Sequence, residues 1–241
     1  MGLKESGLRG SLRNVSVGID AIPDSAVWQV VAEDFGDSWS DQVGDADLDV
    51  DGLSESTMDG ADSIFGDGNS DNAVEQSIGD VPIIEQNDTW AALVTIQTTD
   101  DGWIFGSSDA GDTEFWFRVL SGGGFQVTVS DDSGDSIRYE SETVVADGEP
   151  HAIVVNKPSN SELEIWIDDM NDEDEEGVET LDQEFDPNDY TRQFPLTFFA
   201  RDNGDGPEGH IEADIGCFEF ADETYSEAER IDFVDRRPEV N

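Results

Sequence analysis

The sequence predicts an all-β protein built as two antiparallel sheets packed face to face, and three observations predict it. Apolar and polar residues alternate with a period of two in several short runs, and Gly, Asp, Asn and Ser punctuate the gaps between them. Helical periodicity is essentially absent until the end of the chain. So many short strands argue for two layers rather than one.

Taken in order, residues 90 to 97 read as a strand. In "TEFWFRVL" Phe115, Phe117 and Val119 fall on one face, and Trp116 and Arg118 fall on the other, so one side is core. "GFQVTVSDD" repeats the device with Phe125, Val127 and Val129 against Gln126 and Thr128, and "SGGG" between the two runs is a hairpin connection. Residues 151 to 156 form a further strand, and "ELEIWIDD" sets Leu163, Ile165 and Ile167 against Glu164 and Trp166. The stretch "MNDEDEEGVETLDQEFDPND" is a long, solvated acidic hairpin or loop, and strands follow at 194 to 200 and 211 to 220. One short helix closes the chain: Ser226 is its N-cap, Glu229 the capping-box partner, Arg236 and Arg237 suit its C-terminus, and Pro238 stops it.

Composition sets the surroundings. Fifty-nine Asp and Glu oppose eleven Lys and Arg, a formal net charge of -48. Such an excess ordinarily opposes compaction, but the apolar share is 36%, and six Trp and thirteen Phe supply a core. The acid is dispersed over turns and alternate strand positions, which is a charged surface over an apolar interior. At about molar salt the Debye length falls to about 3 Å and screens that surface, so the expected setting is the salty cytoplasm of an extreme halophile. The scarcity of lysine, Lys4 and Lys157 alone, agrees. Nucleic acid is excluded as a partner of the main body, because phosphate binding needs clustered cations. Cys217 stands alone, so no disulfide forms within one chain. No secretory signal is expected and no run reaches membrane-spanning length, so no membrane insertion is expected.

The opening "MGLKESGLRGSLRNVSV" carries three of the eleven cations, Lys4, Arg9 and Arg13, with Leu8 and Leu12 interspersed. Residues 1–25 are therefore expected to be an extended docking arm, and residues 26–241 the folded domain. In high salt, contact pairs and apolar anchors must hold such an arm, and a neighbouring acidic subunit, a copy of this chain or another protein, is the expected partner.

The stretch "VVADGEPHAIVVNKPSNSELEIWIDD" resembles the central signature of laminin-G-like, concanavalin-A-like jelly-roll domains, with Asp147, Gly148 and His151 at the turn and Leu163, Ile165, Ile167 and Asp168 on the following strand. "HIEADIGCFEFADETYSEAER" is similar to the family's closing strand and its turn into a helix, where Tyr225 replaces the usual Leu. "WQVVAEDFGDSWSDQVGDADLDVDG", "SIFGDGNSDNAVE" and "TWAALVTIQTTDDGWIFGSS" look like the earlier strands, so the resemblance spans residues 26 to 235. It implies a jelly-roll sandwich. The short "LRGSLR" arm ahead of such a domain is similar to virion proteins of tailed viruses of haloarchaea.

Some glycosidases share this fold and carry an E-x-D-x-x-E run, which is missing here. The nearest look-alike is Glu162, Glu164 and Asp168, but Glu164 and Asp168 stand roughly 13 Å apart in an extended strand. Solvated strand carboxylates account for them, and no catalytic residue is assigned. His151 is expected to be structural. Related domains often carry calcium, and "DGNSDN" places Asp67, Asn69 and Asp71 as candidate ligands, with Asp202, Asp205 and Glu208 a second set. Carbohydrate binding is the family's commonest role and needs exposed aromatic platforms, for which Trp103, Trp116 and Trp166 are candidates. Each can instead be covered by a neighbouring loop or subunit. The resulting expectation is a non-enzymatic capsid or tail protein of a halophilic archaeal virus, assembled as a homo-oligomer through its arm and able to bind host-surface glycans. The alternatives are a cellular haloarchaeal lectin-like protein and a degenerate glycosidase.

Overall fold

The computed structural model describes residues 26–82, 84–108, 114–168, 170–171, 178–181 and 185–236. The expected docking arm, with Lys4, Leu8, Arg9, Leu12 and Arg13, lies outside the described residues. The first strands are β1 (Ala26–Phe35), β2 (Ser38–Asp41), β3 (Leu48–Asp51), β4 (Ser54–Met58), β5 (Ala61–Asp67) and β6 (Asn72–Glu75). A 3-10 turn at Ile84–Gln86 leads to β7 (Trp90–Thr98), β8 (Gly102–Ser108), β9 (Glu114–Val119), β10 (Gly124–Ser130), β11 (Ser136–Val144), β12 (Pro150–Ser159) and β13 (Glu162–Ile167). Short strands follow: β14 (Met170–Asn171), β15 (Val178–Leu181), β16 (Thr197–Phe198), β17 (Arg201–Asp202) and β18 (Pro207–Glu208). The long β19 (Glu212–Ala221) and the helix α1 (Glu227–Arg236) complete the fold.

Pairing sorts these strands into two layers. One runs β4, β5, β19, β7, β12, β13, and the other runs β3, β6, β16, β8, β9, β10, β11, β15. β1 pairs with β19 on one side and with β2 on the other, and β2 pairs with β3, so hydrogen bonding turns the corner between layers. This is the two-layer antiparallel sandwich the alternation predicts, in keeping with the jelly roll the resemblance implies; a single parallel bridge, Asp202 with Ser107, is the exception among the described pairings.

The inner faces meet through aromatic rings. Phe105 of β8 lies 5.6 Å from Phe218 and 5.5 Å from Phe220 of β19, and Phe198 lies 4.7 Å from Phe218. Trp28 stacks between Phe198 and Phe220 at 5.3 and 5.2 Å. Burying such rings is the main favourable term for the domain.

The helix begins as its sequence dictates: the Ser226 amide donates to Glu229 Oε2 at 2.8 Å and the Glu229 amide donates back to Ser226 Oγ at 3.4 Å. Two stretches depart from expectation. Residues 194 to 200 do not form one strand, because Phe199 takes a left-handed backbone, φ 63°, and divides β16 from β17. The acidic stretch from Met170 is not wholly a solvated loop: β15 pairs with β11 in register from Ile137–Leu181 to Glu140–Val178.

Candidate functional site

Cross-strand register decides what shares the outer face of the second layer. Trp103 of β8 stands opposite Arg118 of β9, which faces Gln126 of β10, which faces Glu140 of β11. The adjacent row on the same face is Gly106, Trp116, Thr128 and Arg138. Side chains two apart on neighbouring strands are within reach of one another, so these two rows form one patch.

The patch is a ladder of guanidinium groups and indoles. The Arg201 guanidinium lies 4.3 Å from the Trp103 ring centroid, and Arg118 lies 5.0 Å from Trp103 and 4.9 Å from Trp116. Arg138 lies 5.9 Å from Trp116, and the two indoles meet edge to face at 4.8 Å. Each contact of this kind is worth about 0.5–1 kcal/mol when exposed and about 2 when desolvated. Two glycines make room for it. A Cβ on Gly106 would lie 2.7 Å from the Trp116 Cβ and 3.1 Å from the Arg201 Cβ, and one on Gly209 would lie 2.2 Å from Trp103 Cδ1.

Hydrogen bonds fix the guanidinium groups. Arg118 Nε donates to Gln126 Oε1 at 2.7 Å, Arg138 Nε donates to Thr128 Oγ1 at 3.1 Å, and Gln126 Nε2 donates to Glu140. Arg201 is paired with Glu208, through Nε at 3.1 Å and Nη2 at 2.8 Å. Burial, followed by the positive charge of Arg138, lowers the pKa of Arg118 below the usual guanidinium value.

This geometry alters the aromatic reading. Trp116 is 3% exposed and is no open platform; it is covered by Arg118, Arg138 and Trp103. Gln126 and Thr128, expected to face solvent, are buried beneath the same groups. Trp103 is half-buried and backs two arginines. Trp166 is on the outer face of the other layer, where Arg230 of α1 stacks on it at 3.6 Å and donates through Nη1 to the Tyr225 carbonyl at 2.9 Å. The three tryptophans therefore belong to two places, and only Trp103 and Trp116 come together.

The acidic candidates are used by the fold. Asp67 Oδ1 accepts from the Asn69 amide at 2.9 Å and Asp71 Oδ2 from the Asp67 amide at 3.0 Å, so both carboxylates hold the loop's own backbone. Asp202 accepts from the Gly204 amide, and Glu208 holds Arg201. Among the described residues no three acidic, histidine or cysteine side chains come together to hold a metal ion. Asp168 accepts from the Ala152 amide at 2.9 Å and meets His151 Nδ1 at 2.6 Å, while His151 Nε2 meets Asp147 at 3.0 Å. Burial opposes the charge on His151, but the carboxylates of Asp168 and Asp147 outweigh it and raise its pKa. With a carboxylate at each nitrogen, the ring ties the 147 turn to the end of β13.

Three other polar clusters were not foreseen. Buried Lys157 donates to the carbonyls of Asn87 and Asp88 and to Asn160 Oδ1, all within 3.1 Å, and burial lowers its pKa to about 8. Arg192, wholly buried, lies 3.4 Å from Glu75 and 3.5 Å from Glu85 and donates to the Val81 carbonyl at 2.8 Å. Burial raises the pKa of both glutamates, with Arg192 pulling against it. A cleft of about 480 Å³ is lined by Ala32, Glu55, Ser56, Thr57, Asp62 and Ser63, which offer neither a cation nor an aromatic ring.

No sequence model of a known family and no curated protein matches the chain. Solved structures do. The receptor-binding domain of botulinum neurotoxin C/D mosaic serotype matches over 90% of this chain and 52% of that one, with TM-score 0.66 and 10% identity. The binding domain of botulinum neurotoxin DC, solved in complex with rat synaptotagmin II, matches over 90% and 53%, with TM-score 0.65 and 12% identity. The binding domain of Paraclostridial mosquitocidal protein 1 matches over 88% and 52%, with TM-score 0.63 and 12% identity. This chain thus spans about half the length of the structures it resembles, and the likeness is one of fold.

Proposed function

We propose that the chain is a non-enzymatic binding module that holds a surface glycan or glycoprotein against the outer face of β8, β9, β10 and β11. The observation that carries this is the Arg201–Trp103–Arg118–Trp116–Arg138 ladder, which gathers three of the eleven cations of a chain of net charge -48 onto one sheet face. A sheet held rigid by an aromatic core is a suitable base for recognition, since its side chains need little ordering on binding. That the same fold serves in structures described as receptor-binding domains supports the reading.

The setting we propose is the surface of a virion of a halophilic archaeal virus, with residues 1–25 docking the module on neighbouring virion subunits. This part rests on the charge balance and the basic first segment. A cellular lectin-like protein of the same habitat is the second reading, and absence of the chain from purified virions would favour it.

The test is a glycan array in molar KCl with the full chain and with Trp103→Ala, which removes the ring beneath both Arg118 and Arg201. Binding by the parent and its loss in a variant that keeps its near-UV circular dichroism is expected. Unaltered binding by the variant would place recognition elsewhere, and hydrolysis of a bound glycan would end the non-enzymatic reading.

A further inference from the structure

A chain with 59 carboxylate side chains and 11 cationic ones should leave no cation without an acid near it. Arg192 and Arg201 obey, each with a carboxylate within 3.5 Å. Arg118 and Arg138, like Lys157 and Arg230, form no ion pair among the described residues, but Lys157 and Arg230 give their terminal nitrogens to carbonyl oxygens, whereas the hydrogen bond that Arg118 and Arg138 each make uses only Nε, to a neutral Gln126 and a neutral Thr128. Their terminal amino groups donate to no other described residue. Glu140 and Glu114 lie near enough to act on the Arg118 charge, yet neither forms an ion pair with it, and Glu140 accepts from Gln126. Both guanidinium groups are half-buried, both lie within 6 Å of the Trp116 ring centroid, and they repel one another. Two adjacent, partly desolvated cations whose terminal nitrogens meet no carboxylate among the described residues are costly unless something anionic completes them.

We propose that Arg118 and Arg138 make this face selective for acidic saccharides, with the terminal amino groups of each guanidinium meeting a carboxylate or sulfate of the sugar. The inference rests on the reading of this face as the binding surface and names the ligand class. A planar guanidinium whose Nε is already anchored presents a fork matched to a two-oxygen acid group, and its stacking on an indole reduces the ordering cost. The footprint, two guanidinium groups about one indole, fits one or two acid groups rather than a protein partner. A protein interface needs roughly 800 Å² per partner with an apolar centre, whereas the exposed large apolar side chains Val43, Ile78, Val144, Leu181 and Ile231 are dispersed and none belongs to the ladder. In molar salt the repulsion between an acidic sugar and the rest of the surface is confined to about 3 Å, while direct contacts persist.

The experiment compares oligogalacturonate, its methyl ester and a sulfated neutral oligosaccharide, with poly-glutamate as the peptide arm, by calorimetric titration of the full chain in molar KCl. The expected result is that an acidic sugar binds at least about tenfold more tightly than the ester, the difference carried by charge-assisted hydrogen bonds. Arg118→Gln with Arg138→Gln should abolish the difference and leave the weak binding of the ester, with thermal unfolding confirming that the variant is folded. Arg118→Lys with Arg138→Lys keeps charge without the fork and should recover only part of the preference. Equal binding of acid and ester overturns the acidic assignment and leaves the binding reading intact. Poly-glutamate binding as tightly as the sugars overturns the saccharide assignment. Absence of binding to every sugar overturns both readings.

Discussion

Arg192 is the residue whose loss tests the buried architecture most directly. It is wholly buried between Glu75 and Glu85, which are also buried, at 3.4 and 3.5 Å. Arg192→Met keeps the volume and removes the charge. Glu75 retains the amides of Gly79 and Val81 as donors, but Glu85 loses its only ion-pair partner among the described residues. Removing one member of a buried pair costs about 3–5 kcal/mol, because the remaining charge is left uncompensated. For a domain of this size that is a fall in Tm of roughly 6–20 °C. The pH dependence carries a sign. Burial already raises the pKa of both glutamates, so the folded state takes up their protons more readily than the unfolded chain. Their contribution is fully present below the unfolded carboxylate range and is lost as pH rises through the folded values. Without Arg192 those values rise further, so the penalty should be greatest at neutral pH and shrink toward pH of about 5. Adding Glu85→Gln should recover much of the loss. Thermal unfolding in molar KCl across this pH range measures all three chains. A loss under about 1 kcal/mol that does not change with pH would refute the assigned buried cluster.

Three further outcomes follow from the same geometry. His151 has a raised pKa between Asp168 and Asp147, so its contribution is full below about pH 6.5 and fades as pH rises through the folded value; His151→Gln should flatten that slope in pH-dependent unfolding, and an unchanged slope would count against the assignment. Arg230→Ala removes the cover of Trp166 and the bond to the Tyr225 carbonyl, and should cost about 1–2 kcal/mol and raise quenching of tryptophan fluorescence; neither change would be seen if α1 were not docked there. Dialysis to low salt should collapse the near-UV circular dichroism, because self-repulsion at a net charge of -48 is then unscreened; unchanged spectra would argue against adaptation to salt.

The sandwich was legible because alternation reports directly on which face of a strand is buried. Phe115, Phe117, Val127 and Ile165 are all in the core as their spacing requires. Alternation says nothing about what lies on the opposite face, and there the reading and the structure part. Trp116 and Thr128 are on the outer face, as expected, but are buried there because Arg118 and Arg138 cover them. That covering is set by register between β8, β9, β10 and β11, which joins residues 103, 118 and 138 and, through β17, residue 201. No local motif encodes such a constellation. Two traces of it were in the sequence nonetheless. One is arithmetic: in a chain with so few cations, Arg118 occurs on a polar position of a predicted strand, where Asp or Glu would serve solubility better. The other is Gly106 in "IFGSS", a glycine within a strand, which marks close approach of another group. The same limit explains Trp166, whose cover comes from Arg230, 64 residues away on a helix whose cap was readable but whose docking face was not. Pattern along the chain therefore identifies the layers, whereas the site arises where the layers bring distant polar positions together. Its chemistry is visible only once each arginine's partners have been counted.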